Sequence, residues 1–205
     1  MDTNQDNQAK AERHNKRMAK HKAVVDKKIA QATEERGVIV LLTGNGKGKS
    51  SSAFGMLARA LGHGQKCAVI QFIKGQFECG ENKFFADHPQ VEFHLMQTGF
   101  TWETQNYAAD KTAAQKVWQT TIPLLQNSTY DMIILDEITY MFKYKYLDEQ
   151  EVINSLLQRP ENQSVVVTGR GASKDLIAAA DTVSEIHLQK HAFNNGVKAR
   201  LGVEW

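Results

Sequence analysis

Two cysteines in 205 residues are too few to build a disulfide scaffold. Cys67 lies in an apolar run and reads as a small buried side chain. Cys79 sits beside Gly80 in a loop. Neither belongs to a CxxC pair or a His/Cys cluster, so a cysteine-based metal site is not expected, and reduced thiols and a cytoplasmic location are. No stretch approaches the roughly 20 consecutive apolar residues that span a bilayer, and the polar N-terminus shows no apolar stretch that could serve as a secretion signal, so none is expected. A membrane partner is therefore not expected. The formal net charge of +2 gives no reason to expect a general nucleic-acid binder. Nothing repeats at a fixed period.

What is present is ordinary globular material. Hydrophobic residues make up 41% of the chain and charged residues 23%, enough to build one domain with a substantial core. The composition shifts at Gly37. Residues 1–36 are rich in Lys, Arg, Gln, Asn and Ala and form a basic arm or lid. It is either a solvated tail or a helix that docks on something, since Val25, Ile29 and Ala32 share a helix face. Residues 37–205 form the main domain.

Within that domain, short apolar runs alternate with helical patterns. Val38-Ile39-Val40-Leu41-Leu42 reads as a strand buried on both faces. A helix follows over 51–61 and stops at Gly62 and Gly64. Further strands are expected at 66–73, 91–96, 132–135, 165–167 and 183–188. Helices are expected at 107–125, where Pro123 would bend or end the helix, at 148–157 with Asp148 as N-cap, and at 174–180. This alternation predicts an α/β fold with a mostly parallel sheet and helices on both faces. In such a sheet the ligand sits beyond the carboxyl ends of the strands.

The most informative segment is Thr43-Gly44-Asn45-Gly46-Lys47-Gly48-Lys49-Ser50, placed between a strand and a helix. Gly48-Lys49-Ser50 fits the end of the GxxxxGK[ST] phosphate loop. Glycines let backbone N–H groups approach phosphates, and the following helix N-terminus adds positive potential. Lys49 supplies a cation, and Ser50 offers a hydroxyl to Mg²⁺. The predicted ligand is ATP with Mg²⁺, or Mn²⁺ in its place. The first glycine of the usual pattern falls at Thr43, so the loop is in effect one residue short at its start. That shift counts weakly against a simple γ-phosphate transferase.

Three other clusters follow strands. Asp136-Glu137 ends an apolar run, where a carboxylate holds Mg²⁺ directly or through water. Arg170, between Gly169 and Gly171, has room to reach a phosphate or ribose. Phe100 and Trp102 fall in a loop, where aromatics either plug a core or shield a large flat ligand.

Taken together, these stretches resemble the P-loop family of ATP:corrinoid adenosyltransferases, which make the adenosyl form of cobalamin. The resemblance runs through the phosphate loop, Gln71-Phe72-Ile73-Lys74-Gly75, Gly99 to Asn106, and Leu135-Asp136-Glu137-Ile138-Thr139-Tyr140. It continues through Thr168-Gly169-Arg170-Gly171, His191-Ala192-Phe193 and Gly196-Val197-Lys198-Ala199. The one small departure is Ser50-Ser51, where the family usually shows two threonines.

The resemblance implies a P-loop NTPase fold of the RecA-like type. It implies attack of a cobalt(I) corrinoid on C5′ of ATP, with loss of triphosphate. Lys49, Glu137, Phe100 and Trp102 would be the catalytic residues. Gly44, Asn45, Gly46, Lys47, Gly48, Lys49, Ser50, Ser51 and Arg170 would bind the nucleotide. Ser50, Asp136 and Glu137 would hold the metal. Phe100 and Trp102 would favour a four-coordinate cobalt that is easier to reduce. A homodimer, a cobalamin or corrinoid precursor as substrate, and reduced flavodoxin or a similar electron donor are implied in the same way. The rival readings are a RecA-like ATPase that hydrolyses the γ-phosphate and a non-catalytic nucleotide switch.

Overall fold

Each apolar run in the chain is short, and each becomes a strand of four or five residues. The structure, a computed structural model, describes residues 3–73, 79–96 and 106–204. It contains two compact units, Met1–Glu35 and Arg36–Trp205.

The first unit is a single helix, α1 (Thr3–Gln31). The basic arm is helical. Its large apolar side chains Val24, Val25 and Ile29 are exposed.

In the second unit the strands are β1 (Ile39–Thr43), β2 (Cys67–Gln71), β3 (Val91–Leu95), β4 (Met132–Asp136), β5 (Ser164–Thr168) and β6 (Thr182–Glu185). They form one sheet in the order β3-β2-β4-β5-β1-β6, and every pairing is parallel. The helices are α2 (Lys49–Gly62), α3 (Gly80–Phe85), α4 (Tyr107–Leu125), α5 (Thr139–Lys143), α6 (Glu149–Leu157) and α7 (Lys174–Ala179).

Strand side chains alternate between faces, and the core divides accordingly. Ile39, Leu41, Ile70, Ile133, Leu135, Val165 and Val167 pack with Trp118 of α4, Met141 of α5, Ile153 of α6 and Leu176 of α7. Leu42, Cys67, Val69, Ile134 and Val166 pack with Ala53, Phe54, Leu57 and Ala60 of α2 and with Phe85 of α3. The sheet is therefore covered by helices on both faces, as the unbroken apolar runs require. Full burial of Phe54 or Leu57 contributes about 2 kcal/mol each. Cys67 is buried as expected, and burial pushes its thiol up to about 12.

α4 spans the expected 107–125, with Pro123 inside its last turn. Two departures from the sequence reading have local causes. The short helices α3 and α5 carry too few residues to show a period. β6 stops at Glu185 rather than 188, because its neighbour β1 ends at Thr43 and the loop takes over. Ile186 donates its N–H to Thr43 O at 2.8 Å and accepts one from Gly46 at 2.7 Å.

The beginning of β1 is tied down by charge. Arg36 donates to Asp181 at 2.7 Å, and the Ile39 N–H donates to the other carboxylate oxygen at 2.8 Å. The Arg36 hydrogen bond, then the Ile39 N–H, hold the Asp181 carboxyl below its ordinary value of 3.8. A carboxyl depressed in the folded state contributes stability above its unfolded value and loses it as pH falls through the folded one. Asp181→Asn should therefore lower the melting temperature at pH 7. The gap to wild type should close as pH drops below 3.8. Thermal denaturation of both proteins from pH 7 to pH 2.5 measures this. A gap that stays constant across that range would contradict it.

Candidate active site

Five residues, Gly44 to Gly48, join β1 to α2. Thr43 still belongs to the strand, so the short loop start seen in the sequence is real in the backbone. The glycines serve two different ends. A Cβ on Gly44 would sit 2.4 Å from the Ile186 carbonyl oxygen, and one on Gly46 would sit 2.7 Å from the His187 carbonyl oxygen. These two glycines are demanded by the chain packed behind the loop, which is not the reason the sequence reading gave. Gly48 is different: its φ is 114° and a Cβ there would meet nothing. It opens α2 with no side chain to cap the helix. The first N–H groups of α2 are thus left for an anion.

Lys49 is 5% exposed, and its ammonium donates to Gly46 O at 2.9 Å. Burial lowers its pKa; the Glu137 carboxylate opposes this, while Arg170 and Lys47 add to it. The Lys47 ammonium makes a short ion pair with Glu204 near the C-terminus. An anion arriving at the loop must compete with that carboxylate. Exposed ion pairs are worth up to about 1 kcal/mol. Glu204→Gln should therefore tighten inorganic triphosphate binding by up to about fivefold, read by titration calorimetry. Weaker binding in that variant would show that Glu204 assists the loop instead of opposing the anion.

The carboxyl end of β4 brings in the acids. Asp136 is 3% exposed, and each of its oxygens accepts a hydrogen bond. Thr168 Oγ1 donates to one at 2.7 Å, and Gln71 Nε2 donates to the other at 3.1 Å. Thr168 Oγ1 also accepts the Glu137 N–H at 2.9 Å. Neither Thr168 nor Gln71 was singled out from the sequence for this work. Both occur in stretches that carried the family resemblance, which was the only available signal.

Glu137 is the unusual member. Its φ is 58°, a left-handed conformation that L side chains seldom adopt. Its Oε2 is buried with no hydrogen-bond partner. Burial first, then the Asp136 charge, push its carboxyl up to about 7, against the pull of Lys49 and Arg170. A buried carboxylate oxygen without a partner is costly unless something cationic or protic reaches it.

Arg170 follows β5 and is exposed. Its own backbone is fixed, since Thr139 Oγ1 donates to Arg170 O at 2.9 Å. Gly46, Lys47, Gly48, Lys49, Ser50, Ser51, Glu137 and Arg170 all line one cavity of about 530 Å³, together with Phe84 of α3 and Gly202 to Glu204. Gly44, Asn45 and Asp136 do not line it: Gly44 faces Ile186, and Asp136 is sealed behind Thr168 and Gln71. Phe100 and Trp102 lie outside the described residues. Phe84 and Glu204 are cavity residues that the sequence did not point to.

The family comparison settles what this assembly belongs to. Residues 35–205 match the family model described as ATP:corrinoid adenosyltransferase BtuR/CobO/CobP, and residues 1–29 match that of the cob(I)alamin adenosyltransferase N-terminal segment. The chain belongs to the ATP:corrinoid adenosyltransferase family. The corrinoid adenosyltransferase of Escherichia coli K12 is 49% identical over 95% of this chain and 98% of its own length. The corrinoid adenosyltransferase CobA of Salmonella typhimurium is 51% identical over the same shares. That of Pseudomonas aeruginosa is 52% identical over 96% of this chain and 97% of its own. Corrinoid adenosyltransferases are transferases, and ATP-dependent adenosylation of cob(I)alamin is the activity this membership assigns. Among the described residues, no helix is long and apolar enough to cross a membrane.

Proposed function

We propose that this cavity holds ATP by its triphosphate so that the cobalt(I) of a reduced corrinoid attacks C5′. The cobalt–carbon bond forms with the cobalt electron pair, the C5′–oxygen bond breaks, and inorganic triphosphate departs. The observation that carries the reading is one shared cavity: the uncapped start of α2, Lys49, Glu137 and Arg170 all line it. Cobalt(I) is itself a strong nucleophile, so no general base is required. The chain's tasks are positioning, stabilising the leaving group and excluding water.

Lys49 and the N–H groups at Gly48, Lys49 and Ser50 meet the negative charge that grows on the departing triphosphate. Arg170 reaches a phosphate or the ribose. The residues fit a Mg²⁺ or Mn²⁺ ion carried in with the nucleotide. Ser50 and Glu137 would hold it directly, and Asp136, sealed behind Thr168 and Gln71, would add its negative charge from outside the cavity. The ion would neutralise charge on the leaving group.

The finer assignments belong to the same reading. The sheet order, with β5 between the phosphate-loop strand β1 and the acidic strand β4, supports a P-loop NTPase fold of the RecA-like type. Phe100 and Trp102 shield the corrinoid and favour loss of its lower ligand. The protein acts in the cytoplasm as a homodimer. α1 serves as a lid, and an electron donor such as reduced flavodoxin supplies cobalt(I).

Protein, MgATP and reduced cobalamin should yield adenosylcobalamin and triphosphate in equal amounts. Cobalt(II) corrinoid with MgATP should change its absorption spectrum on adding the protein, and Trp102→Ala should weaken that change. Rapid release of orthophosphate without corrinoid would sink the reading in favour of a γ-phosphate hydrolase.

A further inference from the structure

α3 contributes a side chain to the cavity that the activity above leaves without a role. Phe84 is 78% exposed, while its neighbour Phe85 is 7% exposed. The two rings meet edge to face, 4.9 Å apart at 88°. Phe85 lies parallel to Phe54 of α2 at 6.0 Å, and Phe54 to Phe93 of β3 at 6.3 Å. Phe84 is therefore the solvent end of an aromatic row rooted in the core, and its ring is braced from below.

Single exposed apolar residues are common and mean little. Phe84 differs because it lines the same cavity as Lys49, Ser50, Glu137 and Arg170. The cations and hydroxyls of that cavity are accounted for by phosphate and its counterion. Its other apolar lining residues are Phe85, whose ring is buried, and Val203, which has no flat face. A volume of about 530 Å³ suits a nucleotide. A corrin macrocycle with its side chains is too large to share that space with a triphosphate.

We propose that Phe84 is the stacking wall for the adenine of ATP, a positioning and specificity residue that fixes the nucleoside end while the loop fixes the triphosphate end. This rests on the reading of the cavity as the ATP site. Aromatic faces stack on purines in a way that removal to alanine exposes directly.

The test is calorimetric binding of two probes, MgATP and inorganic triphosphate, to wild type, Phe84→Ala and Phe84→Trp, with melting temperatures as a check on folding. Phe84→Ala should weaken ATP binding about tenfold and leave triphosphate binding unchanged. Phe84→Trp, which keeps a flat face, should bind ATP within about threefold of wild type. Unchanged ATP binding in Phe84→Ala overturns the proposal, as does equal weakening of both probes. If wild type binds neither probe, the ATP-site reading itself has failed, and this inference falls with it.

Discussion

Lys49→Ala should reduce the rate of adenosyl transfer by about 10²–10³-fold, the loss that follows removal of one donor aimed at developing charge. The C5′–oxygen bond breaks with a full charge passing to the triphosphate, and Lys49 is the buried cation of the loop. Its environment matters as much as its charge. Burial has already stripped the ammonium of water, and the Gly46 carbonyl fixes it at 2.9 Å. The group therefore needs no reorganisation when the leaving group charges. The same burial means that Lys49→Ala removes a desolvated charge from the interior, so the fold should survive with a melting temperature close to wild type. Single-turnover formation of adenosylcobalamin, followed by absorbance with saturating reduced corrinoid, measures the effect. Activity within about twofold of wild type would show that Lys49 does not face the triphosphate.

Gly169→Ala should be the most damaging small change to the site that touches no ligand. Gly169 has φ 149°, and a Cβ there would lie 2.0 Å from Thr139 Oγ1. Thr139 is buried, and its hydroxyl secures the Arg170 carbonyl, so it has little room to retreat. Strain and overlap together should cost about 3 kcal/mol, which lowers the melting temperature of a chain this size by on the order of 10 °C. Arg170 should lose its position at the same time, and ATP binding should weaken. Thr139→Gly, added to the same chain, removes the colliding atoms and should restore part of the lost stability. Two measurements decide it: thermal denaturation of the single and double variants, and ATP titration. A Gly169→Ala protein as stable as wild type would mean that the Thr139–Gly169 approach is wrong.

These two residues show how unevenly the site was legible in the sequence. Lys49 could be read directly, because the phosphate loop is a local motif and its strand and helix flank it. Gly169 could be read only as a glycine beside an arginine, giving the guanidinium room to reach a phosphate or ribose. In the fold its demand comes from Thr139, a residue 30 positions earlier in the chain that reaches across to Arg170. Gly44 and Gly46 repeat the lesson: the backbone at Ile186 and His187 also requires them to be glycine, which the local motif does not show. Asp136 was read as a possible metal ligand, yet Thr168 and Gln71 already engage both its oxygens.

The alternation of short apolar runs with helical periods was enough by itself to dictate a parallel sheet covered on both faces. Parallel neighbours need long crossovers, and helices serving as those crossovers cover both faces of strands that are apolar on both sides. The sequence also pointed to the kind of chemistry, since a glycine loop ending in Lys49-Ser50 before a helix matches the phosphate-loop pattern. What only the tertiary structure decided is which atoms remain available there. Lys47 is engaged by Glu204, 157 residues away, and Asp136 by Thr168, 32 residues away. The Glu137 oxygen is left bare beside them, and Phe84 is brought to the cavity from a helix too short to announce itself. Hydrogen bonds and burial at these positions are set by neighbours far apart in the chain, so no local pattern can carry them.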